Sequence, residues 1–182
     1  MTSRPRKQLA LILIVLLFAA PFVTAYVLNK AGWRPPATRN YGELVTPPQD
    51  LGAAKFILAD GKPLQWKDAQ WSWTIFAIPG PDCATQCIAA IDELRRVRLT
   101  MNDSAERVRV VVLDTPLPPT ALARLNPVES ARDASGALGR LRPGPGQVAV
   151  AIAGPRGFLV MRYAPGYDAN RMRKDLARLL KT

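Results

Sequence analysis

The stretch Trp71-Ser72-Trp73-Thr74-Ile75-Phe76-Ala77-Ile78-Pro79-Gly80-Pro81-Asp82-Cys83-Ala84-Thr85-Gln86-Cys87 decides how the rest of the chain is read. Its first eight residues are aromatic or β-branched enough to predict a central strand, which Pro79-Gly80-Pro81 stops. Asp82 suits an N-cap, and Cys87, Ile88, Ile91 and Leu94 recur on one stripe of a helix spanning roughly residues 83–99. Val108-Arg109-Val110-Val111-Val112-Leu113-Asp114 then reads as a second buried strand. A strand, a helix and a strand in succession form a βαβ unit, whose crossover makes the two strands parallel.

Working outward, Lys55–Leu58, the Asp60-Gly61 turn and Pro63–Trp66 predict a leading β-hairpin. After the βαβ unit, Pro116, Pro118 and Pro119 open a short helix over Thr120–Leu125, and a further helical stretch is expected over Glu129–Leu141. Arg142–Gly146 is a Pro/Gly loop. Residues 147–153 and 158–163 flank Gly154-Pro155-Arg156-Gly157 as an antiparallel hairpin, and Asp168 caps a final helix with Met172, Leu176, Leu179 and Leu180 apolar. A hairpin, β-α-β, a connecting helical region and β-β-α together predict a thioredoxin-like α/β fold on a four-stranded mixed sheet.

Leu9–Leu28 runs twenty residues without a charge. As a helix it spans about 30 Å, the thickness of a bilayer core. It is expected to be an uncleaved anchor, while Val23-Thr24-Ala25 leaves a cleaved signal peptide as the alternative. Basic residues are equal in number on the two sides, Arg4, Arg6 and Lys7 against Lys30, Arg34 and Arg39. The upstream three are the more densely packed, and a long C-terminal domain translocates largely regardless of charge. The expected order is therefore a cytoplasmic N-terminus (1–8), a transmembrane anchor (9–28), a Pro-rich spacer (29–54) and a thioredoxin-like domain (55–182). In a bacterium this is a single-pass inner-membrane protein with its C-terminal domain in the periplasm, where cysteines oxidise.

The 182 residues contain no histidine, which excludes imidazole bases, HExxH zinc sites and His-ligated iron. Two cysteines are too few for a zinc finger. The net charge of +11 comes from 25 basic residues scattered along the chain without a recognition motif, so the expected anionic partner is the lipid bilayer and not a nucleic acid. Trp66, Trp71 and Trp73, with Met101, Met161 and Met172, are expected in packing and not as ligands.

Chemistry is therefore concentrated in Cys83 and Cys87. A spacing of four puts both sulfurs on one helix face, and Cα atoms about 6 Å apart are within disulfide range. So short a loop adds little chain-entropy stabilisation, which favours reactivity over stapling. The first helical turn favours a thiolate at Cys83, although the Asp82 carboxylate opposes it. On this reading Cys83 attacks and Cys87 resolves in thiol–disulfide exchange. Alternatively the two soft sulfurs hold Cu(I), or both cysteines are inert core residues.

One anchor, the Asp60-Gly61-Lys62-Pro63 turn, Pro81-Asp82-Cys83-Ala84-Thr85-Gln86-Cys87 after a strand and the Gly154-Pro155-Arg156-Gly157 turn together resemble the Sco/SenC family. Asn40-Tyr41-Gly42-Glu43-Leu44 and the ending from Phe158 to Lys181 are similar to proteobacterial membrane proteins associated with cytochrome c oxidase assembly. The resemblance implies a thioredoxin fold, with copper binding or thiol reduction by Cys83 and Cys87 during CuA assembly and an oxidase subunit or assembly factor as partner. The family's histidine position falls near Gly146, where there is no ligand. That departure leaves Cu(I) transfer or thiol reduction, and it motivates the alternative of a non-catalytic scaffold holding an assembly partner at the membrane. Thioredoxin's Cys-x2-Cys spacing is absent, and Pro145 is the candidate for its cis-proline.

Overall fold

A computed structural model describes residues 4–32, 40–82, 85–115 and 117–181. They form two compact units divided between Arg39 and Asn40. In the first, Arg4–Lys30 is one helix, α1, and its segment Gln8–Lys30 is long and apolar enough to cross a membrane. Pro21 lies inside it, and the Thr24 hydroxyl donates to the Ala20 carbonyl at 2.8 Å, keeping that polar group satisfied within the helix.

The second unit is a thioredoxin-like α/β fold with a mixed sheet of seven strands. They are β1 (Glu43–Asp50), β2 (Phe56–Leu58), β3 (Trp73–Pro79), β4 (Val108–Leu113), β5 (Glu129–Asp133), β6 (Val148–Ala153) and β7 (Phe158–Tyr163). The order across the sheet is β1-β7-β6-β3-β4-β5-β2. β3 lies in the middle, parallel to β4 and antiparallel to β6, and Thr74–Pro79 are all buried. Burial on both faces explains why the stretch is nearly continuously apolar and does not alternate. On one face Ile75 and Ala77 pack with α2 (Thr85–Leu99) and α4 (Ala169–Leu179) through Cys87, Ile91, Leu94, Met172 and Leu176. On the other, Phe76 stacks on Phe56 with ring centroids 4.8 Å apart, and Trp66 meets both rings edge-on.

The βαβ unit, the short helix α3 (Pro119–Leu125), the β6–β7 hairpin and the Asp168-capped helix α4 match the sequence expectation. Asp168 accepts from the backbone of Asn170 and Arg171, as an N-cap should.

Four expectations are corrected. The sheet has seven strands and not four, because β1 extends one edge and β5 and β2 extend the other. Residues 43–50 of the expected spacer are β1, paired to β7 at both ends with an irregularity between Leu44 and Gln49 that accommodates Pro47-Pro48. An edge strand tolerates proline because half of its backbone N–H groups face no partner. Glu129–Asp133 is strand β5 and not helix: β4 and β2 hold it from either side, and only Gly139–Leu141 beyond it is helical, as one 3₁₀ turn. The leading hairpin forms but is shorter than expected, one bridge between Ile57 and Pro63 flanked by Leu58 N–H to the Lys62 carbonyl and Leu64 N–H to the Phe56 carbonyl, both 2.8 Å, while the other edge of β2 pairs with β5. Its turn does form, with Gly61 at φ +82 and the Asp60 carboxylate accepting from Lys62 N–H.

The start of the second unit is fastened by a buried carboxylate. Asp175 on α4 is 1% exposed. Its Oδ2 accepts from Tyr41 N–H at 2.7 Å, Gly42 N–H at 2.9 Å and the Tyr163 hydroxyl at 3.0 Å, while Arg178 donates to Oδ1 at 3.0 Å. Gly42 is required sterically, because a Cβ there would lie 2.4 Å from the Tyr163 ring. Tyr41 is flanked by the guanidinium groups of Arg171 and Arg178 at 5.4 and 5.9 Å from its ring. Next to this anchor, Arg162 makes a two-pronged bond to Glu43, its register partner.

Replacing Asp175 with Ala strands three buried or half-buried donors, so Asp175→Ala should lower unfolding stability by about 3 kcal/mol. Denaturant unfolding of the full chain in detergent reads the loss, and amide exchange should accelerate first at Tyr41 and Gly42. Burial, and then the Asp175 carboxylate, raise the Tyr163 phenol above its ordinary value of 10.0. A raised folded-state pKa means stability that is intact below pH 10 and declines as the unfolded chain ionises above it. Stability measured from pH 9.5 upward should therefore fall less steeply in Tyr163→Phe than in the parent.

Candidate functional site

The candidate site lies at the C-terminal end of β3, where the chain leaves the middle of the sheet for α2. Two backbone hydrogen bonds continue the β3–β6 pairing past its last register pair, Pro79 with Val148. Gly80 N–H donates to the Gln147 carbonyl at 2.8 Å, and Gly146 N–H donates to the Pro81 carbonyl at 2.9 Å. The Pro143–Gln147 loop is thereby closed over the segment that leads into the cysteines. Only glycine fits at position 80, since a Cβ would lie 2.0 Å from the Gly144 carbonyl oxygen. Gly146 has φ +68, the left-handed conformation that lets its N–H turn toward Pro81.

Cys87 is the third residue of α2 and is 1% exposed, packed in the same cluster as Ile91 and Leu94. Cys83 lies outside the described residues, so its relation to Cys87 is not part of the observed geometry. There is no free cysteine thiol among the described residues. Asp82 is exposed at φ +58 and so lacks the extended backbone of an N-cap; the first residue of α2 is Thr85. This corrects the capping expectation.

Several side chains that the sequence reading did not single out surround this end of the sheet. A cleft of about 360 Å3 is lined by Ala90 and Glu93 of α2, the Gly146–Val148 turn and Tyr167. The Tyr167 hydroxyl is buried without a hydrogen-bond partner among the described residues. Burial chiefly, and secondarily the Glu93 carboxylate, raise its pKa, so it stays protonated. No motif marks these residues; they meet only because the β7–α4 connection folds back on α2. On the far side of the loop, Arg142 binds Asp114 at 2.7 Å, and Asp114 also accepts from Asp133 N–H, tying the β4 terminus to β5.

The copper expectation can be tested against the donors present. No group of three or more His, Cys, Asp or Glu side chains able to hold a metal ion occurs among the described residues. Gly146, near the position where the resemblance places a histidine, has no side chain, and its N–H is already bonded to Pro81. A three-donor copper site is therefore not completed at that position. Met161 and Met172 are buried core residues, as expected, and Met161 Sδ lies 3.1 Å from the Tyr163 hydroxyl oxygen, whose proton is directed to Asp175. Trp66 and Trp73 pack against the two cores, whereas Trp71 is 48% exposed, against the packing expectation. Pro145 is not a cis-proline; the cis peptides among the described residues precede Pro47 and Pro127.

No curated protein matches the sequence. Among solved structures, the apo Sco1 protein of Thermus thermophilus aligns with a TM-score of 0.55 at 16% identity, covering 80% of this chain and 99% of that one. Yeast Sco1 with copper bound aligns with a TM-score of 0.55 at 12% identity over 80% of this chain and 96% of its own. A thioredoxin-like protein of Neisseria meningitidis aligns with a TM-score of 0.50 at 18% identity, covering 71% of this chain and 89% of that one. At these identities the likeness establishes the fold. Residues 73–182 match the family model described as the transmembrane-like, thioredoxin-like, C-terminal domain, and the chain belongs to that family.

Proposed function

We propose that the protein is a membrane-anchored thiol–disulfide factor of the bacterial periplasm, acting through Cys83 and Cys87 in cytochrome c oxidase assembly. The observation that carries this reading is the placement of Cys87. It is buried in the first turn of a helix that leaves the middle of a thioredoxin-like sheet, below a loop held by the Gly80 and Gly146 hydrogen bonds. It is not a free thiol, and the chain has two cysteines, which supports pairing with Cys83.

In the reductive direction the Cys83 thiolate attacks one sulfur of a client disulfide, forming a mixed disulfide and releasing the other client sulfur as a thiolate. The Cys87 thiolate then attacks Cys83, releasing the second client sulfur. Two electrons pass to the client, the Cys83–Cys87 disulfide remains, and a dithiol donor regenerates the pair. Burial suits Cys87 to the resolving role, because a buried thiol is out of reach of other clients.

Copper enters this reading as cargo and not as a resident cofactor. Two thiolates suit a soft monovalent ion, and without a third donor the pair is a poor Cu(II) site. Anchoring is supported by α1, whose Gln8–Lys30 segment meets the length and hydropathy of a span. A periplasmic domain is supported by the denser packing of Arg4, Arg6 and Lys7 before the span, the basic counts on its two sides being equal, and provides the oxidising surroundings that the pair needs.

Alkylation of the full chain across defined thiol–disulfide buffers should show both cysteines becoming protected together in one two-electron transition. Independent modification at every potential overturns the exchange reading. In the host, Cys83→Ser with Cys87→Ser should impair oxidase assembly; normal assembly would favour the scaffold role. Competition against a Cu(I) chelator should show binding that needs both cysteines and gives no comparable Cu(II) affinity. Gly80→Ala should lower stability by about 1–3 kcal/mol by forcing the Gly144 loop away. Gly139→Ala, where a Cβ meets nothing within 4 Å, should stay within about 0.5 kcal/mol of the parent.

A further inference from the structure

We infer that a second surface, at the end of the sheet opposite the start of α2, is a docking patch for an anionic lipid bilayer. Trp71, Trp73, Phe158 and Val160 line a groove of about 490 Å3 together with Arg107 and Arg156. Trp71 is 48% exposed and Phe158 40%, although large apolar side chains elsewhere in this unit are mostly buried. Trp71 also has φ +52, an unfavourable backbone for a bulky residue, so its exposure is held against a conformational cost.

Charge selects the occupant. Among the described residues, no acidic side chain lines the groove. Asp50, opposite Phe158 across the β1–β7 pair, accepts Gly52 N–H at 2.7 Å within its own turn. Indole rings beside arginines match the headgroup layer of a membrane, where tryptophan settles at the apolar boundary and guanidinium groups meet lipid phosphates. The net charge of +11 acts in the same direction. The reach is sufficient as well. Gly32 and Asn40 are joined by eight peptide units, at most about 29 Å of chain. Glu43 faces Arg162 and Asp50 faces Phe158, so the patch begins about 14 Å along β7 from where the connection enters. The inference rests on α1 as an anchor and is independent of the cysteine chemistry.

The test uses the full chain carrying Trp33→Phe, which removes the indole nearest the span in sequence. It is reconstituted in phosphatidylcholine vesicles with and without phosphatidylglycerol, both containing acyl-brominated lipid as quencher. Vesicle flotation reports anchoring separately. Phosphatidylglycerol should increase the quenching of tryptophan emission, and Trp71→Phe should remove that increment while leaving flotation and the circular dichroism spectrum unchanged. Arg156→Gln should weaken the phosphatidylglycerol-dependent equilibrium about fivefold. Quenching that is equal in the two lipid mixtures, or unaffected by Trp71→Phe, overturns the inference. So does Trp71 emission that ignores bromolipid but responds to an acidic peptide, which would assign the patch to a protein partner. Loss of flotation overturns the anchor and the patch together.

Discussion

The central constraint in the globular unit is that β3 is buried on both faces while hydrogen-bonded on both edges. A strand in that position cannot shift register without moving apolar side chains out of two cores. Its end is therefore among the best-fixed points in the molecule, and the Cys83–Cys87 segment starts four residues beyond Pro79. The rigidity extends one step further through Gly80 and Gly146, whose N–H groups bond across to the facing loop. Glycine at position 80 is a packing requirement, since the two backbones approach too closely for any side chain. Cys87, in the first turn of α2, thus follows closely on a strand whose position the sheet fixes.

The same unit contains one expensive polar decision. Burying the Asp175 carboxylate costs several kcal/mol unless its oxygens are saturated, and here they are, by two backbone N–H groups, a phenol and a guanidinium. The four donors come from three structural sources. The backbone groups belong to the segment entering from the N-terminal side, the phenol to β7 and the guanidinium to the next turn of α4. The carboxylate thus makes docking of the entering segment conditional on correct assembly of β7 and α4. This also explains two motifs that are far apart in sequence, Asn40-Tyr41-Gly42-Glu43-Leu44 and the Lys174-Asp175 region: they are the two halves of one contact.

The elements legible in the sequence are those whose local pattern and tertiary role agree. β3, β4 and β6 are apolar because they are central; α2 and α4 carry stripes at helical spacing, and α4 has its cap in Asp168. What was illegible depended on partners. Glu-Ser-Ala-Arg-Asp at 129–133 has no strand composition, and only Ala131 is buried; it is extended because β4 and β2 both need a neighbour. β1 is hidden by Pro47-Pro48, which erase alternation but are compatible with an edge strand paired mainly at its ends. At the candidate site the cysteine spacing was visible, whereas the Gly80–Gly144 approach and the Tyr167 cleft join residues more than sixty positions apart in the chain. Such contacts leave no local periodicity to read.

Gly146 separates the two chemical roles that the resemblance joins. A histidine at that position would have supplied the third donor that stabilises copper through a redox change. Glycine instead uses a left-handed backbone to send its N–H to Pro81, serving the loop and not a metal. Two sulfurs alone still suffice for electron-pair exchange, which needs an attacking and a resolving thiolate and no third ligand. They also suffice for brief custody of a soft cation, where weak hold assists release. On the proposed reading, a site without histidine keeps the chemistry that sulfur does by itself, and its precision then rests on the position of the helix that carries Cys87.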